Sequence, residues 1–412
     1  MSTPRRAAVV FVLVTVTLDI LAMGIIIPVL PKLVEQFVGG DPARAAIYFG
    51  AMSASWALMQ LIFSPILGGL SDRFGRRPVI LISNLGLGLD YILMALAPDI
   101  AWLFVGRIVS GICAASFSTA TAYIADVTPP EKRAAAFGLI GAAFGIGFVA
   151  GPAVGGLLGG YDPRLPFWIA AGFSLANAAY GYFVLPESLA VENRSAFAWR
   201  GANPIGALRL LAGDRALTGL ASANFLNYIA HAVLPALTVL YTTTRYGWGL
   251  REVGLVLAAV GVMAAIVQGL LIKPIVARFG PRVALVAGYL FGAVGMTIYG
   301  LAPTPLIFYC GIIFGALWGM AGPASQQLMT ARVGVDQQGR LQGAGSSLMA
   351  VANLIGPLLF TQIFAVTLPW GLQYSGLAYV LAGLLLATAA LAGLLVLRGS
   401  SSDVRAVIEA DR

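Results

Sequence analysis

Three ionisable side chains stand where an apolar sequence has least room for them. Asp19 lies in TVTLDILAMG, Asp90 in LGLGLDYILM and Arg107 in LFVGRIVSG, each among apolar or small neighbours. A charge at the centre of a bilayer costs at least about 2.5–3.5 kcal/mol on insertion scales, so each needs a partner or a task. A carboxylate so placed can take up and release a proton as burial and neighbouring charge change. Asp90 stands eight residues before Pro98 and Arg107 nine after it, which gives them matching depth on adjacent antiparallel helices. They read either as a fixed ion pair or as a proton-exchanging group under the control of the arginine. Asp19 has no partner in the sequence and falls roughly 18 Å into its helix, near the midplane of a core about 30 Å thick. His231, the single histidine, stands near Asn224, Asn227 and Tyr228. Its imidazole suits proton transfer and equally suits a polar cavity wall. Gln60, Asn84, Asn227, Gln268, Trp318 and Gln326 complete the mid-span polar and aromatic set that a small-molecule cargo could touch.

Composition says what must position these residues. Hydrophobic residues make up 59% of 412, charged residues 10%, and mean hydropathy is +0.88. Soluble domains carry about a quarter charged residues, so the chain is written for lipid. Its net charge of +8 does not point to nucleic acid, because the basic residues cluster in short breaks between apolar runs. Cys113 and Cys310 both lie inside apolar spans and offer neither a disulfide framework nor metal-ligand spacing. Arg5 and Arg6 precede a long apolar stretch that carries Asp19 and no small-residue cleavage site, so it reads as a retained first helix.

Twelve apolar segments lie near 7–31, 46–69, 79–97, 100–125, 138–159, 167–185, 217–243, 252–275, 283–302, 304–330, 343–367 and 373–397. They are too long and too uniformly apolar for barrel strands, so they are helices. With the N-terminus inside, every Lys and Arg except Lys32, Arg44, Arg107, Arg164, Arg245 and Arg251 falls on the cytoplasmic side. Both termini are expected to be cytoplasmic.

The chain also repeats itself. DRFGRRP at 72–78 returns as ARFGPRV at 277–283, an offset of 205. The same gapless offset carries Leu96-Ala97-Pro98 to Leu301-Ala302-Pro303, Gly106 to Gly311, Gly138 to Gly343 and Gly151-Pro152 to Gly356-Pro357. The expected organisation is a six-helix half (1–186), a cytoplasmic linker (187–216), a second six-helix half (217–398) and a cytoplasmic tail (399–412). Two such halves rocking about a midplane site is an architecture of secondary transporters.

Two further motifs belong to moving parts. In GGLSDRFGRRPVIL, Asp72, Arg73, Arg76 and Arg77 surround Gly75 in the turn between spans 2 and 3. The arginines alone would set topology. Their order with Asp72 suggests a latch, in which a carboxylate meets a helix N-terminus or an arginine. The echo replaces Asp72 by Ala277 and Arg76 by Pro281, so any latch is asymmetric. Asp126 and Glu187, at cytoplasmic helix ends, are expected to make interhelical or capping contacts. In span 5, Gly147, Gly151, Gly155 and Gly156 permit close helix approach and Pro152 removes a backbone donor, which suggests a pivot.

These motifs resemble those of the major facilitator superfamily. GGLSDRFGRRP resembles its loop 2–3 signature, LFVGRIVSGICAA its span 4 signature and GFVAGPAVGG the span 5 signature of drug:proton antiporters. LDILAMGIIIPVLP, ALMQLIFSPILGGLSDRFGRRPV, DYILMALAP, AYIADVT, LPES and LQG…IGPLLFT are similar to the tetracycline-efflux group. The resemblance implies an all-α, twelve-span membrane protein in two pseudo-symmetric halves, placed in the cell inner membrane as a monomeric unit. It implies proton-coupled drug efflux, with Asp19, Asp90 and Arg107 in coupling and Asp72, Arg73, Gly75, Arg76 and Arg77 in the switch. Protons are the coupling ion, the cargo arrives alone or as a metal chelate, and no other cofactor is implied. The group's polar residues of spans 8 and 9 are replaced by Ala264 and Gly292, which favours a non-tetracycline drug or metabolite. No GxxxxGK[ST] loop is present, so ATP is not the expected energy source. A transporter-like sensor or scaffold without net flux is the alternative from another class, and the short linker counts against it. Nothing in the chain suggests an enzyme.

Overall fold

The computed structural model of the protein describes residues 3–114, 116–195, 210–211, 213–334 and 337–410. Most of the expected linker, 196–209 and 212, lies outside them, Arg200 included. Among the described residues the regular structure is helical throughout, as hydrocarbon requires of a chain that does not form a barrel.

The first six spans are built from α1 (Thr3–Ile26), α2 (Leu30–Phe37), α3 (Pro42–Phe74), α4 (Arg76–Leu96), α5 (Ile100–Ala114), α6 (Ser116–Val127), α7 (Pro130–Gly159) and α8 (Leu165–Val184). The last six use α9 (Arg215–His231), α10 (Val233–Tyr246), α11 (Leu250–Ile266), α12 (Ile272–Leu301), α13 (Pro305–Trp318), α14 (Ala321–Thr330), α15 (Gln338–Thr367) and α16 (Leu377–Ala410). Among the described residues, ten helical stretches are long and apolar enough to cross a membrane. One of them, Leu250–Leu301, is 52 residues long, about 78 Å as a straight helix. It breaks at Gly280, whose φ is 79°, and so holds two spans. Leu165–Val184, 20 residues long, supplies the sixth. The chain therefore carries twelve spans.

Short polar signals set the helix ends. Asp41 accepts from the backbone N–H of Ala43 at 2.9 Å and Arg44 at 3.2 Å, with Pro42 opening α3. Asp99 and Asp214 cap α5 and α9 in the same way. Gly75, with φ 106°, joins α3 to α4 in a conformation that a side chain would strain.

Two compact units emerge, Met1–Ala202 with Thr242–Gly261, and Asn203–Tyr241 with Val262–Arg412. The first takes in the C-terminal end of α10 and most of α11. Within it α1 packs on α7, α8 and α6, while α4 packs on α8 and α5. Within the second α9 packs on α15 and α16, while α12 packs on α16 and α13. The pairs correspond span for span.

The offset of 205 holds in the backbone as well as in the letters. Gly75 and Gly280 share positive φ, and Ala97 and Ala302 end their helices with φ, ψ of −51°, 122° and −58°, 116°. A Cβ on Gly106 would stand 2.5 Å from Met94 Cγ, and one on Gly311 would stand 2.7 Å from Tyr299 Cε1, 205 residues on in both members.

The helices are not all continuous. Span 1 is interrupted between Ile26 and Leu30, span 7 at Ala232 and span 10 between Trp318 and Ala321. A five-residue π-helical turn, Val267–Leu271, follows α11 and contains Gln268. Breaks of this kind free backbone groups at depth and collect at functional sites. In contrast, α7 runs through Pro152 without interruption.

Candidate functional site

The first unit holds the charges. Asp19 is half-buried on α1, and its Oδ1 accepts a hydrogen bond from Asn177 Nδ2 of α8 at 2.8 Å. The same amide donates to the Thr15 carbonyl at 2.9 Å, which fixes its orientation. Asn177 is the partner that the sequence reading missed. Its signal was an amide in the otherwise apolar run FSLANAAYG.

Asp90 is 1% exposed, and neither of its carboxylate oxygens has a hydrogen-bond partner. It lies against α5 at Gly106, where a Cβ would stand 3.0 Å from Asp90 Oδ1. Arg107, the next residue, turns its guanidinium to the Trp56 ring, 5.2 Å from the centroid. The expected Asp90–Arg107 contact is therefore not formed. Matching depth was legible in the sequence. The direction of each side chain around its helix was not, and a cation–π contact competes for the guanidinium.

Asn84 also needs correction. It is fully buried on α4 with neither amide atom partnered, so cargo cannot touch it. Gln60 is partly exposed on α3.

The turn at 72–77 is a small electrostatic assembly of its own. Arg76 Nη1 pairs with Asp72 and donates to Ser71 Oγ at 2.7 Å, while its Nε donates to Asp126 Oδ2 at 3.1 Å. Asp72 thus meets an arginine one turn ahead and not a helix end. The carboxylate that meets a helix end is Glu187, which accepts from the backbone N–H of Arg76 at 2.8 Å and Arg77 at 3.2 Å. An acid on the first N–H groups of α4 satisfies orphan donors and complements the helix dipole. Arg77 stacks on Tyr182, and Arg73 on Phe74. Gly75 is required by space as well as by φ, since a Cβ there would run into the Glu187 carboxylate. Asp126 and Glu187 make the interhelical and capping contacts expected of them.

The span 5 glycines form two contact faces. Gly147, Gly151 and Gly155 meet α1, where a Cβ on Gly151 would stand 2.6 Å from Gly24 Cα. Gly156 faces the N-terminal part of α11, and a Cβ on it would stand 2.7 Å from Gly254 Cα. Pro152 contributes its carbonyl to the same contact, 2.5 Å from the Cβ position of Gly254.

The second unit is neutral at the corresponding positions. Asn224 stands 205 residues after Asp19, and Gly295 and Ile312 stand where Asp90 and Arg107 do. Asn224 Oδ1 accepts from Tyr289 Oη at 3.0 Å. Nearby, Trp318 Nε1 donates to Asn227 Oδ1 at 2.8 Å, and its ring lies 5.3 Å from that of His231. His231 and Trp318 each end a helix at a mid-span break. Gln268 reaches within about 4 Å of the Cβ position of Gly319. The sequence-selected Asn227, His231, Gln268 and Trp318 are thus brought to one neighbourhood. Gln326 is exposed on α14, with no contact to this group among the described bonds. Gly292 is covered by the Trp318 indole, whose Cγ would stand 2.7 Å from a Cβ there.

Paired six-helix folds, broken helices and a charged turn at the base of span 2 define a lineage, and sequence comparison identifies it. The Major Facilitator Superfamily model matches residues 12–357. The chain belongs to the Major Facilitator Superfamily. It is a multi-pass membrane transporter and not an enzyme, and its cargo is a small molecule. Among similar relatives is the class C tetracycline resistance protein of Escherichia coli, 38% identical over 90% of this chain and 93% of that protein. The class G protein of Vibrio anguillarum is 36% identical over 88% and 91%. Among solved structures, a bacterial homologue of the human lysosomal transporter Spinster superposes with a TM-score of 0.81 over 97% of this chain and 98% of that one, at 18% identity. At that identity the likeness concerns the superfamily fold.

Proposed function

We propose that this superfamily member exports a drug-like small molecule across the cytoplasmic membrane in exchange for protons, by alternating access. The observation that carries the reading is its similarity, over nine-tenths of its length, to a tetracycline resistance protein. Asp19 and Asp90 are the proton-exchanging groups, with Arg107 as the charge that biases them. The assembly of Asp72, Arg73, Gly75, Arg76 and Arg77 switches between states, and the glycines of α7 provide the packing surface on which helices shift. Asn227, His231 and Gln268 contact cargo, and the buried Trp318 positions Asn227 through its indole N–H. The transporter works as a monomer, without ATP or resident cofactor, and with both termini in the cytoplasm.

Everted membrane vesicles given an imposed pH gradient test this reading. Uptake of tetracycline, or of another compound from a drug panel, should rise with the gradient and stop when it is collapsed. Uptake indifferent to the gradient overturns proton coupling.

One observation favours a cargo other than tetracycline. Ala264 and Gly292 stand where the tetracycline-efflux group carries its polar residues of spans 8 and 9, and the space over Gly292 is filled by the buried Trp318 indole. The drug panel distinguishes the two cargoes directly.

A further inference from the structure

The buried side of Asp19 opens on polar groups to which the transport reading assigns no task. Asn177 is fully buried, and while its Nδ2 serves Asp19 and Thr15, its Oδ1 has no hydrogen-bond partner. Ser174, three residues earlier on the same face of α8, is also fully buried with its Oγ unpartnered. Asn84 of α4 adds an amide with both polar atoms unpartnered.

Asn84 and Asn177 share one level of the bundle, with Ser174 about one turn of α8 away. Two close contacts set the register of α4 against α8. A Cβ on Gly88 would stand 2.6 Å from Leu175 Cδ2, and one on Gly181 would stand 2.8 Å from Leu81 Cδ2. Asn84 falls between Leu81 and Gly88, and Asn177 falls between Leu175 and Gly181. The internal repeat places Asn84 toward Asp19 by an independent route. Their counterparts 205 residues on are Tyr289 and Asn224, which share a hydrogen bond of 3.0 Å.

Buried polar groups without partners are costly, and in proteins such groups are satisfied by ordered water where two to four of them converge. We propose that Asn84, Ser174 and Asn177 form a water-binding chamber inside the first half that solvates the inner side of Asp19. The inference rests on the reading of Asp19 as a proton carrier. Asp19 keeps a partly exposed side, and cargo arriving there strips water from the carboxylate. Ordered water and the Asn177 amide on the sealed side then keep the ionised form tolerable while the proton leaves. The other groups that face Asp19 do not supply this. α7 presents glycine at Gly147 and Gly151 to α1. Tyr123 of α6 belongs to an apolar cluster with Val12, Val16 and Ile20 and turns its hydroxyl away to the Pro186 carbonyl, 2.9 Å distant. From α4, Tyr91 lies within electrostatic reach of Asp19, Asp90 and Arg107.

The test needs no cargo. Infrared difference spectra of the full-length protein in liposomes report protonated carboxyl groups, and Asp19→Asn identifies the Asp19 band. At fixed neutral pH, Asn84→Leu fills the chamber with apolar surface, and the Asp19 band should grow at least twofold. Ser174→Ala, a smaller change, should move it in the same direction. A melting curve for each variant confirms folding, and if Asn84→Leu does not fold, Ser174→Ala decides. An unchanged band in folded variants overturns the chamber. Sensitivity of the band to added sodium in the wild type overturns it also, because a cation would then hold the site. Failure of wild-type vesicles to export tetracycline counts against the cargo and leaves this measurement as decisive as before.

Discussion

The indole of Trp318 lies on Gly292 so closely that a Cβ at 292 would stand 2.7 Å from its Cγ and 2.9 Å from Cδ1. The ring is held there by the hydrogen bond to Asn227 and the contact with His231. Residue 292 and residue 318 are thus chosen together. Gly292→Asp alone should destabilise the protein by the ordinary cost of overpacking, about 1–3 kcal/mol. Adding Trp318→Ala should recover part of that loss. Thermal melting of the detergent-solubilised single and double variants gives the comparison, and equal melting of Gly292→Asp and wild type would show that the indole moves aside freely.

Asp19→Asn keeps the hydrogen-bonding shape toward Asn177 and removes the exchangeable proton. Export driven by a pH gradient should fall to background in vesicles while the amount of protein in the membrane stays the same. Wild-type flux from this variant removes Asp19 from coupling.

Glu187→Gln leaves the chain geometry at the base of α4 intact and weakens the charge-assisted acceptor for the N–H groups of Arg76 and Arg77. Loss of a capping interaction costs about 1 kcal/mol, read as a lower melting temperature. Because Glu187 follows span 6 while α4 is span 3, the loss should also make the 185–195 segment more susceptible to protease. Unaltered melting and proteolysis would make the cap incidental.

Asp72→Asn removes the charge from the Asp72–Arg76 pair while Arg76 keeps Asp126. Cargo affinity at equilibrium should stay within about twofold, since Asp72 lies at a helix end remote from the mid-span residues. Turnover should slow severalfold. Stopped-flow transport set beside equilibrium binding separates the two, and unchanged turnover reduces the turn to a topology signal.

Gly254→Val places a branched side chain where Gly156 and Gly254 meet backbone to backbone. The seam must open by the width of a side chain, so both stability and transport should suffer. Ala259→Val, at an exposed position just over one turn further along α11, is the control. If both variants transport equally, the seam carries no mechanical role.

Much of this protein was written in one dimension. The apolar runs, their number, the basic residues between them and the 205-residue echo all follow from periodic demands of the bilayer, which every residue in a span must meet. Asp19, Asp90 and Arg107 were conspicuous because charge in an apolar run is expensive wherever its side chain points. The capping role of Glu187 was legible in kind, because carboxylates near helix ends find N–H groups.

Direction around each helix was decided only by packing. The sequence placed Asp90 and Arg107 at one depth, and the tertiary structure turned one to Gly106 and the other to Trp56. It also hid Asn84, which composition cannot distinguish from the exposed Gln268. Asn177 became a partner of Asp19 only because α1 and α8 pack side by side, although the two residues are 158 positions apart in the chain. A sequence fixes which residues lie at a given height in a span, because rise per residue is constant. Which of them meet depends on the rotation of each helix against its neighbours, and that is set by the fit of surfaces contributed by distant stretches of chain.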